Sequence, residues 1–162
     1  MVDNGDSLSL DDQICFALYA ANRAVTARYR PILEELGLTY PQYLVMLVLW
    51  QEQCDNAADI SNPEGLRISD LGRRLRLDTG TLTPLLKRLA EREMLTRERS
   101  SRDERVVEVR LTKKGAALRA RAQGIPGRLL CGLDVQPERL IALRTELQDM
   151  LRILEETGGS SG

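Results

Sequence analysis

The sequence predicts a mainly α-helical fold with one small β-hairpin, and three observations carry that expectation. Apolar residues recur at three, four or seven positions over Ile14–Leu36 and again over Leu140–Leu154, the spacing of one helix face. Val107, Val109 and Leu111 alternate with Glu108 and Arg110, the period of a half-buried strand. Between these patterns lie two short apolar stretches punctuated by Asp, Thr, Gly and Pro. At 162 residues, 43% hydrophobic and 29% charged, the chain can bury a core without staples.

Taken in order, Ser9 and Asp12 suggest a capping-box-like start. Ile14, Leu18, Ala21, Val25, Ile32 and Leu36 then mark one long amphipathic helix that Gly37 stops, which puts Cys15 about six residues into it. A second helix is expected after Thr39, with Pro41 in its first turn, running to about Gln53. Residues 43–50 are apolar nearly all round, which marks it as the central buried helix. Cys54–Gly65 reads as a polar loop. Ile68–Leu75 and Thr81–Glu93 are short helices separated by Arg76–Gly80, and Pro84 fits the first turn of the second if that helix starts near Gly80. Leu95–Arg99 and Arg105–Leu111 pair as the hairpin through a charged turn. Thr112 caps a helix to about Gln123, Ile125-Pro126-Gly127 interrupts it, and Pro137–Glu155 is the last amphipathic helix. Residues 1–7 and 157–162 read as flexible tails.

Composition narrows the chemistry. The chain has no histidine, so His-based triads, His general bases and His-containing metal sites are excluded. Three widely spaced cysteines do not make a zinc site, and no metal or cofactor is expected. Their odd number, with an acidic and polar N-terminus, suggests a reducing cytoplasm, where sulfur chemistry is catalytic or sensory. No apolar run approaches the ~18 residues a membrane span needs, so no membrane partner is expected. The net charge of −1 hides a segregation: Arg67–Lys114 carries 14 Lys and Arg against 8 acids, the remainder 9 against 16. A basic middle between acidic ends suggests a local surface for a polyanion.

Two short helices followed by a charged hairpin make a winged helix-turn-helix. This assigns residues 38–112 to a DNA-binding domain. The flanking segments, 8–36 and 113–156, form a helical dimerisation region built from both chain ends, because their apolar faces exceed what a small wing domain can bury. In the second short helix Leu82, Leu85, Leu86, Leu89 and Ala90 form the apolar back, and Thr79, Thr81, Thr83, Lys87 and Arg88 lie toward a front that can face a major groove. Arg99, Arg102 and Arg105 sit at the hairpin, where an arginine can enter a narrow minor groove.

The run Asp103-Glu104-Arg105-Val106-Val107-Glu108-Val109-Arg110-Leu111-Thr112 resembles the D-x-R-x-x-x-V-x-L-T wing signature of MarR-family repressors. The segments Cys15–Ala20, Leu38–Leu44 and Gly80–Leu89 are similar to the OhrR subgroup, which senses organic hydroperoxides; the resemblance covers about Asp12 to Gly127. It implies a homodimer that binds a pseudopalindromic operator when reduced and leaves it when oxidised. Thr79, Thr81, Lys87 and Arg88 would contact operator DNA, Arg105 would enter the minor groove, and Asp103 would position Arg105.

A sensing thiol must be reachable and available as thiolate. No Lys or Arg neighbours Cys15 in sequence, which leaves hydroxyl donors, Tyr19 and Tyr29 foremost. Tyr29 is fourteen residues on, ~21 Å along a straight helix, so it meets Cys15 only across antiparallel copies. The subgroup resemblance implies that arrangement, with Phe16 and Tyr40 shaping an apolar peroxide pocket. It also implies a two-cysteine type, in which oxidised Cys15 forms a disulfide with Cys131 of the partner subunit; Cys54 is a lesser candidate. Two alternatives stand beside this reading: a MarR-type repressor released by a small phenolic ligand, and a thiol peroxidase. The reading itself is of a sensor, not an enzyme.

Overall fold

A computed structural model of the protein describes residues 8–56 and 65–158. A 3-10 turn (Leu10–Asp12) leads into α1 (Ile14–Glu34) and α2 (Tyr40–Asn56). Then come β1 (Leu66–Arg67), α3 (Ile68–Leu75), α4 (Thr79–Glu91), β2 (Leu95–Arg99), β3 (Val107–Leu111), α5 (Lys113–Ala122), α6 (Ile125–Leu130) and α7 (Pro137–Gly158). The mainly helical class with a small sheet is the one the sequence predicts. Two compact units divide at Leu129/Leu130. Residues 1–7 and 159–162 of the expected tails, and 57–64 of the expected loop, lie outside the described residues.

The first unit is organised around α2. Tyr43, Val45, Met46, Val48, Leu49 and Trp50 are buried along it, against Leu33 of α1, Leu71 of α3, and Leu82, Leu86 and Leu89 of α4. Each such aliphatic side chain removed from water stabilises the fold by roughly 1.5–3 kcal/mol. Gln42 starts α2 as expected of a capping box, its Oε1 accepting from the Thr39 N–H at 3.0 Å. The Trp50 indole N–H donates to the Gly115 carbonyl at 2.9 Å and so ties α2 to α5.

α1 begins later than its sequence suggests. The Ser9 side chain makes no cap hydrogen bond, residues 10–12 close a separate 3-10 turn, and the helix starts behind Gln13. Cys15 is therefore the second helical residue, not about the sixth. At the other end Gly37 takes φ +66°, Leu38 N–H bonds Leu33 O at 3.0 Å and Gly37 N–H bonds Glu34 O at 2.9 Å, a Schellman stop. Pro31 lies inside the helix without ending it.

Four further expectations need correction. Cys54 stands in the last turn of α2, because the helix runs on to Asn56, and not in a loop. α4 starts at Thr79, because Asp78 caps it, so Pro84 falls in the second turn, not the first. The hairpin pairs as the sequence predicts, and a third strand adds to it in an antiparallel sheet of order β1-β3-β2, with Leu66 opposite Val109 and Leu95 opposite Leu111. Because Gly65 and β1 cover that side of β3, Glu108 is 6% exposed where alternation placed it in solvent. Finally, residues 125–130 form α6; the chain breaks at Gln123-Gly124, and Pro126 is tolerated in the first helical turn.

From Leu130 onward the second unit holds Cys131 and α7. Pro137 opens α7, as expected, and Leu143, Leu151 and Leu154 are exposed on it together with Ile141 and Ile153. α1 likewise exposes Ile14, Leu18, Tyr19 and Val25.

Candidate functional site

The recognition-type helix is fixed from both sides. Its back, Leu82, Leu86 and Leu89, is fully buried. At its start the Asp78 carboxylate accepts from the Thr81 N–H at 2.9 Å and from the Thr81 hydroxyl at 2.7 Å, and these bonds hold its pKa below the ordinary carboxylate value. Asp78 is a site residue that the sequence reading passed over, although Asp-Thr-Gly-Thr is a recognisable N-cap. Thr79, Thr81, Lys87 and Arg88 are exposed and Thr83 is half-buried; Thr83 donates its hydroxyl to Thr79 O at 2.7 Å. The exposed N-terminus of this helix favours phosphate.

The wing tip is a built turn. Asp103 Oδ1 accepts from the Arg105 N–H at 3.0 Å, Val106 N–H bonds Asp103 O at 2.9 Å, and Arg99 donates to Glu104 O at 2.9 Å. Arg99 is thus engaged by the tip's own backbone, and Arg102 and Arg105 are exposed. The wing root turns on Glu108, which sequence reasoning missed. Its carboxylate accepts from Gly65 N–H and from Arg110, each at 3.0 Å. The Ser100 hydroxyl, foremost, and the Gly65 amide hold its pKa low. Nothing in the alternating pattern signals this, since β1 is only two residues long.

The thiol residues fall into two groups at opposite ends of α1. Cys15 is exposed in the first turn, where a helix N-terminus favours negative charge; Phe16 beside it is half-buried. Tyr19 lies one turn on and accepts from Arg23 at 2.9 Å. Tyr29 packs on Tyr40 with ring centroids 4.8 Å apart and on Tyr43 at 5.9 Å. Burial, with Tyr40 and Tyr43 adding to it, pushes the Tyr29 phenol up to about 12, so it remains a hydrogen-bond donor across the physiological range. A cavity of about 380 Å³ opens beside Tyr40, lined also by Thr26, Arg30 and Leu38. Cys54 and Cys131 are exposed thiols as well. Among the described residues no cluster of acids and cysteines could hold a metal, and no helix is long and apolar enough to cross a membrane.

The profile of the family "Transcriptional regulator SarA/Rot" matches residues 27–121. The organic hydroperoxide resistance transcriptional regulator of Bacillus subtilis is 41% identical over 157 residues, which cover 96% of this chain and 99% of that protein. The chain belongs to the winged-helix transcriptional regulators of the MarR/SarA type. Within that group its similarity runs to the organic hydroperoxide resistance regulators, as the wing and Cys15 motifs imply. Among solved structures, reduced AbfR bound to DNA is 30% identical to this regulator, with TM-score 0.72 and coverage of 90% and 94% of the two chains. A disulfide form of AbfR, a protein of Staphylococcus epidermidis, is 31% identical, with TM-score 0.57 and coverage of 88% and 92%.

Proposed function

We propose that this regulator is a homodimeric repressor that binds a pseudopalindromic operator while Cys15 is reduced and releases it when an organic hydroperoxide oxidises that thiol. The observation that carries the reading is the split of the sensor along α1. Cys15 and Tyr19 stand at one end, the Tyr29–Tyr40 pair and its cavity at the other, on a helix that exposes Ile14, Leu18 and Val25. Antiparallel pairing of two α1 helices covers those side chains and brings Tyr29 of each copy to the thiol of the other. α7, with its own exposed Leu and Ile residues, completes the interface. Thr79, Thr81, Thr83, Lys87 and Arg88 read the major groove; Arg102 and Arg105, held by Asp103, reach the minor groove. The regulator's fold also superposes better on reduced, DNA-bound AbfR (TM-score 0.72) than on the disulfide form (0.57).

In the switch, the Cys15 thiolate attacks the terminal peroxide oxygen. The O–O bond breaks, the alkoxide leaves and takes a proton from water to become the alcohol, and sulfur, having given up two electrons, carries the hydroxyl as sulfenic acid. The Cys131 thiol of the partner subunit then attacks that sulfur; an S–S bond forms, the S–O bond breaks and water leaves. Bridging requires the two Cα atoms within ~7 Å, which displaces α1 and the turn after α6 that carry them. Half-sites lie ~34 Å apart, so a shift of a few ångström between the reading heads releases DNA. The thiol is used once per signal, without turnover.

Non-reducing electrophoresis of peroxide-treated wild type and Cys131→Ala, with DNA release followed in parallel, tests this. A covalent dimer that depends on Cys131 is expected, and release that survives Cys15→Ser refutes it. A second reading, release by a small apolar ligand, has one observation in its favour. Tyr43, Leu47, Trp50, Cys54 and Ala122 line a cavity of about 500 Å³. That reading predicts an effector response untouched by Cys15→Ser.

A further inference from the structure

Three arginines from three different helices converge on the C-terminal end of α1. Arg92, the residue that caps α4, donates one guanidinium nitrogen to Gly37 O and another to Leu36 O. Arg121 of α5 donates to Glu35 O at 2.9 Å. Arg128 of α6 grips the Glu35 carboxylate with both nitrogens, at 2.7 and 2.5 Å. The acceptors are the backbone carbonyls of Glu35, Leu36 and Gly37 and the Glu35 carboxylate, at and just beyond the end of α1, where the helix dipole is negative and cations bind favourably. Glycine at 37 supplies φ +66° and also leaves room for the clamp, since a Cβ there would lie 2.5 Å from Arg92 Nη2.

The two helices joined by Arg92 end alike. α4 closes with Met94 N–H on Leu89 O and Glu93 N–H on Ala90 O, both 2.9 Å, with Glu93 at φ +59°, the same pattern that Gly37 and Leu38 make on α1. Asp78 fixes the start of α4 and the buried leucines its back, but its far end is held to α1 by Arg92. A planar fork that reaches two successive carbonyls fixes direction as well as distance, which a single ammonium cannot do.

We propose that Arg92 is a positioning residue for DNA recognition: it registers the end of the reading helix on the end of the sensor helix, and so passes a displacement of α1 to the DNA-facing surface. The relay rests on the thiol-switch reading above; the positioning does not.

The test uses the full chain and two duplexes, one enriched from a random library by reduced wild type and one scrambled to the same composition. In the reduced state, Arg92→Ala is expected to lower the preference for the enriched duplex at least tenfold, with binding to the scrambled duplex and the salt slope unchanged; Arg92→Lys should restore part of the preference. An unchanged preference overturns the positioning role. So does equal weakening on both duplexes with the slope lower by about 0.9 for each arginine lost, because that marks a phosphate contact. Arg92→Lys, which keeps the charge and most of the packing, decides the matter if the alanine variant does not fold. After treatment with cumene hydroperoxide, with Cys15 oxidation verified by mass, the ratio of reduced to oxidised affinity should fall at least tenfold in Arg92→Ala. The same ratio as wild type overturns the relay. A wild type that keeps its DNA when oxidised refutes the switch and the relay together, while the reduced-state comparison still decides the positioning.

Discussion

Alanine at position 115 should cost this fold about 2–4 kcal/mol, because there is no room for one more carbon. A Cβ built there lies 1.9 Å from Met94 O and 2.9 Å from Met94 C. Relief to ordinary contact needs a shift of about 1.5 Å, and the carbonyl cannot make it freely because it accepts from Thr112 N–H at 3.2 Å. If α5 moves instead, the buried bond from Trp50 Nε1 to Gly115 O at 2.9 Å stretches, as does Gly115 N–H to Thr112 Oγ1 at 3.0 Å. Overpacking costs about 1–3 kcal/mol and each compromised bond about 1 kcal/mol, offset by up to ~1 kcal/mol of helix propensity. For a chain of this size that is a fall of about 10 °C in Tm. Urea unfolding at several protein concentrations, followed by the emission of Trp50, the single tryptophan, measures it. Gly124→Ala is the control: a Cβ there meets nothing within 4 Å, and the change should stay within about 0.5 kcal/mol. Gly115→Ala as stable as that control would refute the account of how α5 seats against the wing root.

Asp78→Ala should weaken reduced-state DNA binding and lower Tm while Asp78→Asn recovers most of both, since an amide oxygen can still accept the Thr81 N–H. Glu108→Leu should speed hydrogen exchange at the Gly65 amide, which loses its acceptor, and weaken duplex binding; unchanged exchange would mean that Glu108 does not hold the wing root. Glu35, Asp78 and Glu108 all have lowered carboxyl pKa values in the fold. The stability they contribute is therefore complete above the ordinary carboxylate values, 4.5 for Glu and 3.8 for Asp, and is lost as the pH falls through the lower folded ones, which acid titration of unfolding checks. Tyr29 runs the other way: raised to about 12, it contributes fully below pH 10 and its contribution fades between 10 and 12. With solvent screening of a partly exposed ring, that contribution is roughly 1 kcal/mol. Tyr29→Phe should flatten that limb of the stability curve.

The long-range order of helices was legible because each carries its apolar period within one segment, and α3 falls over Ile68–Leu75 as the spacing predicts. What the sequence hid depends on contacts between segments. β1 is two residues long and exists only because β3 offers it an edge, so the burial of Glu108 could not be read from alternation along β3. The start of α1 turned on whether Ser9 caps a helix or closes a separate turn, a choice that moved Cys15 into the first turn. Cys54 was placed by its polar neighbours, yet α2 continues through them. The thiol and DNA motifs were visible as residues, but the arginine cluster at Glu35–Gly37 draws on residues up to 93 positions apart and leaves no local pattern.

Cys15 and Tyr29 stand fourteen residues apart on one helix, ~21 Å if straight, and Pro31, the proline within α1, lies beyond both. No local bend therefore shortens their separation within one copy. Burial against Tyr40 and Tyr43 raises the pKa of the phenol, and the Tyr40 ring on which it packs lines a cavity at that end of α1. A donor prepared at one end of a helix and an oxidisable sulfur at the other make one site only when two such helices run in opposite directions. In the proposed homodimer each subunit supplies the sulfur for one sensor and the hydrogen-bond donor for the other. It follows that mixed dimers of Cys15→Ser and Tyr29→Phe chains contain one sensor lacking both groups and one intact sensor. Such heterodimers should respond to peroxide at half the sites, whereas either homodimer should respond slowly or not at all. A response in the heterodimer no better than in the homodimers would place thiol and tyrosine in independent roles.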